Sequence, residues 1–292
     1  MMPPLPWSKR LKFLPGNRIY LEVCVLYLLI FISFTGLYWL QSIPASLFRA
    51  LLHAFTFIFL GWCQFALSHA LHETVHYNFG SPHSELFGLL FTAYPIGLTC
   101  AYRTLHQKHH SYFGKPIQDP DYTTYAPFPR SRVQFFGRLL KQGSGLAAFQ
   151  QFFRAGSMIE PKELLCLLLV QAGIITLFSL TLGWEMYFLF WVGPLVTVAK
   201  LLTSTRSLCE HGSREGEPVW RSFSGSSFLN WTLGIFDFHF HGIHHANPSL
   251  PHRSLRAEFG SIRLLPLKHV IHDGGYGSLL LGWFVRLPWM AS

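Results

Sequence analysis

The chain has 292 residues, of which 50% are apolar, 16% aromatic and only 13% charged. That balance excludes a disordered chain and argues against an ordinary soluble globular domain. The formal charge of +9 comes from 23 Lys and Arg with no run of five, so it reads as membrane asymmetry, and no nucleic-acid partner is expected.

The first strong apolar run covers 20–40 and follows Lys9, Arg10, Lys12 and Arg18. About 20 residues cross a hydrocarbon core, and no small-residue cleavage site follows cleanly, so a retained span with a cytoplasmic N-terminus is expected. A second span, 47–68, comes after a short linker holding Pro44, and the two should form a hairpin. Arg49 near its outer end can snorkel. Leu86 to Ala101 is apolar but short and interrupted by Pro95 and Gly97, which predicts a re-entrant or interfacial segment. A second hairpin, with spans 164–182 and 186–202, turns at Gly183, Trp184 and Glu185. Arg103 to Lys162 holds nine basic residues, while the outer loops have essentially none apart from Arg49. The positive-inside rule therefore places 69–162 and 203–292 in the cytoplasm. The expected fold is an all-α integral membrane protein: four transmembrane helices as two hairpins, a cytoplasmic histidine-rich helical cap and the re-entrant or interfacial segment, in one domain over 1–292. Cys24, Cys63, Cys100, Cys166 and Cys209 form no CxxC pair and are predicted to be small buried hydrophobes.

The 16 histidines carry the functional signal. Three clusters stand out: His72 and His76; His106, His109 and His110; His241, His244 and His245. The last two share the pattern HxxHH, of which about 0.05 copies are expected by chance along this chain. Neutral imidazole binds transition metals, and i, i+3 and i+4 share a helix face, so each cluster can aim two or three nitrogens at a common point. If the second helix simply continues to His76 it outruns the membrane and projects the first cluster into the cytoplasmic interface, on the side where the others fall. His53, His83, His252, His269 and His272 read as surface or hydrogen-bonded residues. His69 shares the face of His72 and His76 and is expected to support a ligand ring or pack between helices, and His239 is passed over in favour of His241.

The order HxxxH, HxxHH, HxxHH on a four-span chain resembles the membrane fatty-acid desaturase superfamily, which also contains hydroxylases and carotenoid ketolases. Arg103 to His110 followed by Asp119, Pro120 and Asp121 is similar to that family's second box with its trailing DPD. Arg206, Glu210 and His211 are similar to its R-x-x-x-E-H segment, and His241 to His245 with Pro248 and Pro251 to its third box. The resemblance covers about Tyr20 to Leu255. It implies nine metal ligands, His72, His76, His106, His109, His110, His211, His241, His244 and His245, around two irons. The residue chemistry alone says only "transition metal". Glu73, Asp119, Asp121, Glu210 and Asp237 are candidate outer partners for the ligand rings, because a metal-bound imidazole normally donates its other N–H. Asp119 and Asp121 have a competing reading as turn formers around Pro120, and Asp237 stands near where many relatives carry Asn.

The expected activity is oxidation of a lipid acyl chain with O₂ as co-substrate, with fatty acyl desaturation ahead of hydroxylation, ketolation or terminal-alkene-forming decarboxylation. Electrons would come from a separate ferredoxin- or cytochrome-type donor, since the chain shows no CxxC and no dinucleotide-binding glycine fingerprint. A bacterial inner membrane is the expected location. A non-enzymatic membrane haem protein is the distant alternative, and it leaves the adjacent histidine pairs without a purpose.

Overall fold

A computed structural model describes residues 17–78, 86–98, 100–156, 158–214, 216–261 and 268–290. Among these residues, four helices are long and apolar enough to span a bilayer. Two of them, α1 (Asn17–Leu40) and α2 (Leu47–Val75), form the first hairpin. Ser46 caps α2 by accepting from the Arg49 N–H, and the Arg49 guanidinium folds back onto the Ile43 carbonyl at 2.7 Å. The expected snorkelling side chain thus closes the hairpin instead. At 29 residues, α2 is about 44 Å long, roughly one and a half times the hydrocarbon thickness. Its first half presents Phe48, Leu51, Phe55 and Ile58 to the outside, whereas its last turns are buried.

The short helix α3 (Leu86–Ile96) cannot cross a membrane. It runs through a π-turn and a 3-10 turn and stops at Gly97, whose φ of 74° is the left-handed value that glycine adopts freely. Ala93, Tyr94 and Ile96 of this segment are packed into the core formed by the long helices. Its carbonyls are satisfied from neighbouring spans: Gln171 donates to Tyr94 and Pro95 (2.6 and 3.0 Å), and the Trp191 indole to Pro95 (3.0 Å). Irregular backbone at membrane depth requires such partners.

The cap follows with α4 (Cys100–Tyr112), the single turn α5 (Tyr122–Tyr125), and the amphipathic α6 (Arg132–Gly143) and α7 (Leu146–Gly156). The second hairpin is α8 (Pro161–Thr181) and α9 (Trp184–His211). Leu165, Leu168, Leu169, Leu177 and Leu180 of α8 face outward, as suits a lipid-contacting helix. The fourth helix is longer than its apolar run: it passes Leu202 without a break and ends at His211. Pro194 lies between two π-turns, Phe188–Val192 and Leu195–Ala199, which accommodate the missing N–H without ending the helix. Gly61 allows α2 to approach α9, because a Cβ there would lie 2.5 Å from that of Val198.

The last third contains β1 (Trp220–Phe223), α10 (Phe228–Leu233), a 3-10 turn Ile235–Phe240, α11 (His241–Ala246), α12 (His252–Ser261), β2 (His269–His272) and α13 (Tyr276–Arg286). The two strands pair in parallel, Trp220 opposite His269. Among the described residues this ribbon is the exception to an all-helical architecture, and four-residue strands joined across the fold leave almost no periodic signal in the sequence. Cys63 and Cys209 are buried as expected, but Cys24 is exposed on α1, a position that lipid would cover.

Candidate metal centre

Hairpin geometry brings the C-terminal ends of α2 and α9 to one end of the bundle, where α4 and α11 of the cap meet them. His72 and His76 ride the last turn and cap of α2, His211 ends α9, and the two HxxHH clusters lie on α4 and α11. Their ring nitrogens form two adjoining groups. Nitrogens of His72, His76, His106, His110 and His244 all lie within 4.8 Å of one another. Those of His109, His211 and His245 form the second group, which His241 joins through Nε2 contacts of 3.1 Å to both His211 and His245. The groups touch: the His110 and His245 ring centroids are 4.3 Å apart.

Each HxxHH cluster therefore serves both groups rather than one common point. Successive residues on a helix diverge by about 100°, whereas i and i+4 differ by only about 40°. His106 and His110 accordingly meet at 2.9 Å in the first group, and His109 turns to the second. On α11 the split is reversed: His241 and His245 enter the second group, while His244 reaches His110 at 3.1 Å in the first.

The residues fit a pair of metal ions. Ligands held about 2.0–2.1 Å from one ion stand about 3–3.4 Å from each other, matching the Nε2 separations of 2.9–3.1 Å. Among the described residues, both ring nitrogens of His72 and Nε2 of His76 are buried without a hydrogen-bond partner, a costly arrangement unless a cation binds there. Burial, reinforced by neighbouring rings, holds His106, His110, His241, His244 and His245 well below 6.5. Burial also takes His76 to about 4. These rings are neutral at pH 7, the form that binds metal.

The outer nitrogens are held unequally. His109 Nδ1 donates to Asp119 at 2.9 Å, and His211 Nδ1 donates to the Val219 carbonyl, just before β1, at 3.1 Å. Burial alone would lower the His109 pKa, but the hydrogen bond to Asp119 and the nearby carboxylates of Asp121, Asp119 and Glu210 together raise it; the contact with His109 depresses the Asp119 carboxyl against its own burial. Asp119 is further held by the Tyr125 hydroxyl, the Gly114 N–H (3.2 Å) and the Asp121 N–H (2.9 Å). Among the described residues, the outer nitrogens of His72, His110, His244 and His245 have no such partner. Aromatic faces position several of these rings instead, with Phe238 against His72 and Trp220 stacked on His245.

The other acidic candidates divide. Glu210 takes Arg206 Nε (2.8 Å) and the Tyr276 hydroxyl (2.7 Å) on one oxygen and turns the other towards His241. Glu73 lies 3.8 Å from His72 Nδ1, beyond hydrogen-bond reach, and is engaged by Asn78 and the His252 N–H instead. Asp121 touches Asp119 through its backbone N–H, so its link to a ring is indirect. Asp237 is paired with Arg256 at 2.6 Å; with a φ of 65° it holds the turn before α11. That contact replaces the expected partnership with a ring.

Of the remaining histidines, His69 donates Nδ1–H to the Phe65 carbonyl and accepts from Arg206 (2.6 Å), so both its nitrogens face protein groups. His252 is buried between Glu22 and Glu73. His53 faces the Arg49 carbonyl, His239 the Gly234 carbonyl, His269 Ser222 and His272 Ser278. His83 lies outside the described residues. Tyr125 and Tyr276 carry no sequence signal for their roles, and the R-x-x-x-E-H pattern marks Arg206 without showing its contacts: the largely buried guanidinium sits under the second group and touches His69, Glu210 and His241.

The family model for fatty acid desaturase matches residues 49–274, a stretch that contains all nine clustered histidines. The chain belongs to the fatty acid desaturase family. No individual curated protein matches it. Membership in the fatty acid desaturase family makes the chain a membrane-associated, metal-binding oxidoreductase of lipids, in a family that depends on iron.

Proposed function

We propose that this chain desaturates lipid acyl chains, using two irons held by His72, His76, His106, His110 and His244 on one side and His109, His211, His241 and His245 on the other. The observation that carries the reading is the convergence of nine imidazoles from four helices into two adjoining groups. The bound irons would supply what no side chain can, activation of O₂ for removing hydrogen from an unactivated C–H bond. The balance is one O₂, two electrons, two protons and two substrate hydrogens giving one double bond and two waters. The protein's own part is positioning. Asp119 and the Val219 carbonyl fix the rings of His109 and His211 in the tautomer that leaves Nε2 free. Phe238 and Tyr102 pack beside first-group rings and keep that side of the centre apolar.

The nine basic residues of the inter-hairpin region support a cytoplasmic centre. That basic face suits an acidic ferredoxin- or cytochrome-type donor arriving from solution, and a bacterial inner membrane suits the reading. Hydroxylation, ketolation or alkene-forming decarboxylation would use the same ligands, so the product decides. Mass spectrometry of lipids from a host with and without the chain is the test. Acyl chains lighter by two hydrogens, absent when His244 is replaced by Ala, are expected. Chains that gain oxygen or lose a carbon would replace desaturation with the corresponding chemistry, and an unchanged lipid profile would contradict lipid oxidation.

A further inference from the structure

We propose that Glu210 is itself a metal ligand, adding one carboxylate oxygen to the four-histidine group. The inference rests on the reading of those four rings as ligands. What separates Glu210 from an outer partner is the side from which it approaches. Asp119 holds His109 through Nδ1, the nitrogen that faces away from the other rings. Glu210 Oε2 instead lies 3.5 Å from His241 Nε2, the nitrogen that also meets His211 Nε2 and His245 Nε2 at 3.1 Å. The outer nitrogen of His241 already faces Arg206, at 3.3 Å. A carboxylate on the inner side shares the space of the ion. One ligand atom from each of Glu210, His211 and His241 falls within 4.8 Å of the other two, and all three residues are buried.

The rest of Glu210 is built to aim that oxygen. Oε1 accepts from Arg206 and from Tyr276, which fixes the rotation of the carboxylate and leaves Oε2 pointing at the rings. Tyr276 is completely buried and Glu210 is 2% exposed, so the orientation is enforced by packing. With this oxygen the two groups become equal in donor number, five nitrogens in one and four nitrogens plus an oxygen in the other. A carboxylate ligand also brings negative charge to a site otherwise made of neutral imidazoles, and oxygen donors favour harder ions than imidazole alone does.

The test uses the full chain in detergent micelles, loaded anaerobically with Co²⁺ and read by infrared difference spectroscopy against the metal-free protein. Two cobalt equivalents should bind, with a carboxylate stretch that shifts on loading. That shift should vanish in Glu210→Gln, and the affinity for one equivalent should fall about tenfold or more while the other is unchanged. Tyr276→Phe, which removes only a donor to Oε1, should keep the shifted stretch. Glu210→Asp covers the case in which the glutamine variant does not fold: its shorter reach should abolish the shift although the carboxylate remains. Two bound equivalents with an unaltered infrared shift in either Glu210 variant would overturn the assignment and leave the histidine ligands standing. Failure of the unmodified chain to bind cobalt would remove the histidine reading itself.

Discussion

Asp119 accepts the Nδ1 proton of His109 at 2.9 Å and takes the Tyr125 hydroxyl on its other oxygen. The carboxylate thereby fixes one ring of the second group from outside, and it is itself fixed by the turn that follows α4. Replacing Asp119 by Asn should lower affinity for one metal equivalent by about 10–100-fold, measured by competition with a chelator. Tyr125→Phe should have a smaller effect, because the Gly114 N–H stays on the same oxygen. Unchanged metal affinity in Asp119→Asn would show that the pair is only a structural turn.

Gly242 separates His241 from Ile243 where α11 presses on the ribbon. A Cβ there would lie 2.4 Å from His269 Cδ2 and 2.9 Å from Ser222 Oγ. Gly242→Ala should destabilise the protein by about 1–3 kcal/mol and reduce metal content, since α11 must shift together with His241 and His245. Thermal unfolding and metal analysis check both. A variant with wild-type melting and full metal content would mean that the ribbon yields easily.

His252 joins α12 to both helices of the first hairpin, with Nε2 3.1 Å from Glu22 and Nδ1 3.3 Å from Glu73. Burial by itself would lower its pKa, but Glu73 and Glu22 outweigh burial and lift it from 6.5 to about 9. A raised folded-state pKa gives stability that is complete below about 6.5, the unfolded value, and is lost as pH climbs through about 9. The melting temperature of the metal-free protein should therefore fall between pH 7.5 and 9.5, and less steeply in His252→Gln. Parallel curves for the two proteins would contradict this role.

Much of this arrangement was legible in the sequence. The four apolar runs, the hairpin turns and the continuation of α2 to its last histidines follow from helix length against membrane thickness. The sharing of each HxxHH between two groups also follows from helix geometry, because i+3 and i+4 share a face only loosely and can turn to neighbouring points. What stayed hidden depends largely on distant contacts. Tyr276 reaches Glu210 and Arg206 reaches His69 across the fold, while Tyr125 bonds Asp119 from the next turn with no local pattern to mark a tyrosine as that donor. Glu22 is the one acidic residue within the apolar run 20–40. Buried at 6% exposure, it is a tether, bound by Arg253 and His252 from the other end of the chain. The apolar run of the fourth helix ends at Leu202, whereas the helix continues through Ser204, Arg206 and Glu210, polar residues that the cap covers rather than lipid.

The most direct measurement is the iron content of the purified full-length chain after anaerobic reconstitution, compared with His109→Ala and His110→Ala. These neighbours point into different groups, so two irons per chain are expected in the unmodified protein. Each variant should weaken a different iron, and their Mössbauer spectra should lose different components. A single iron per chain, or the same component lost in both variants, would contradict the division of the nine histidines into two sites.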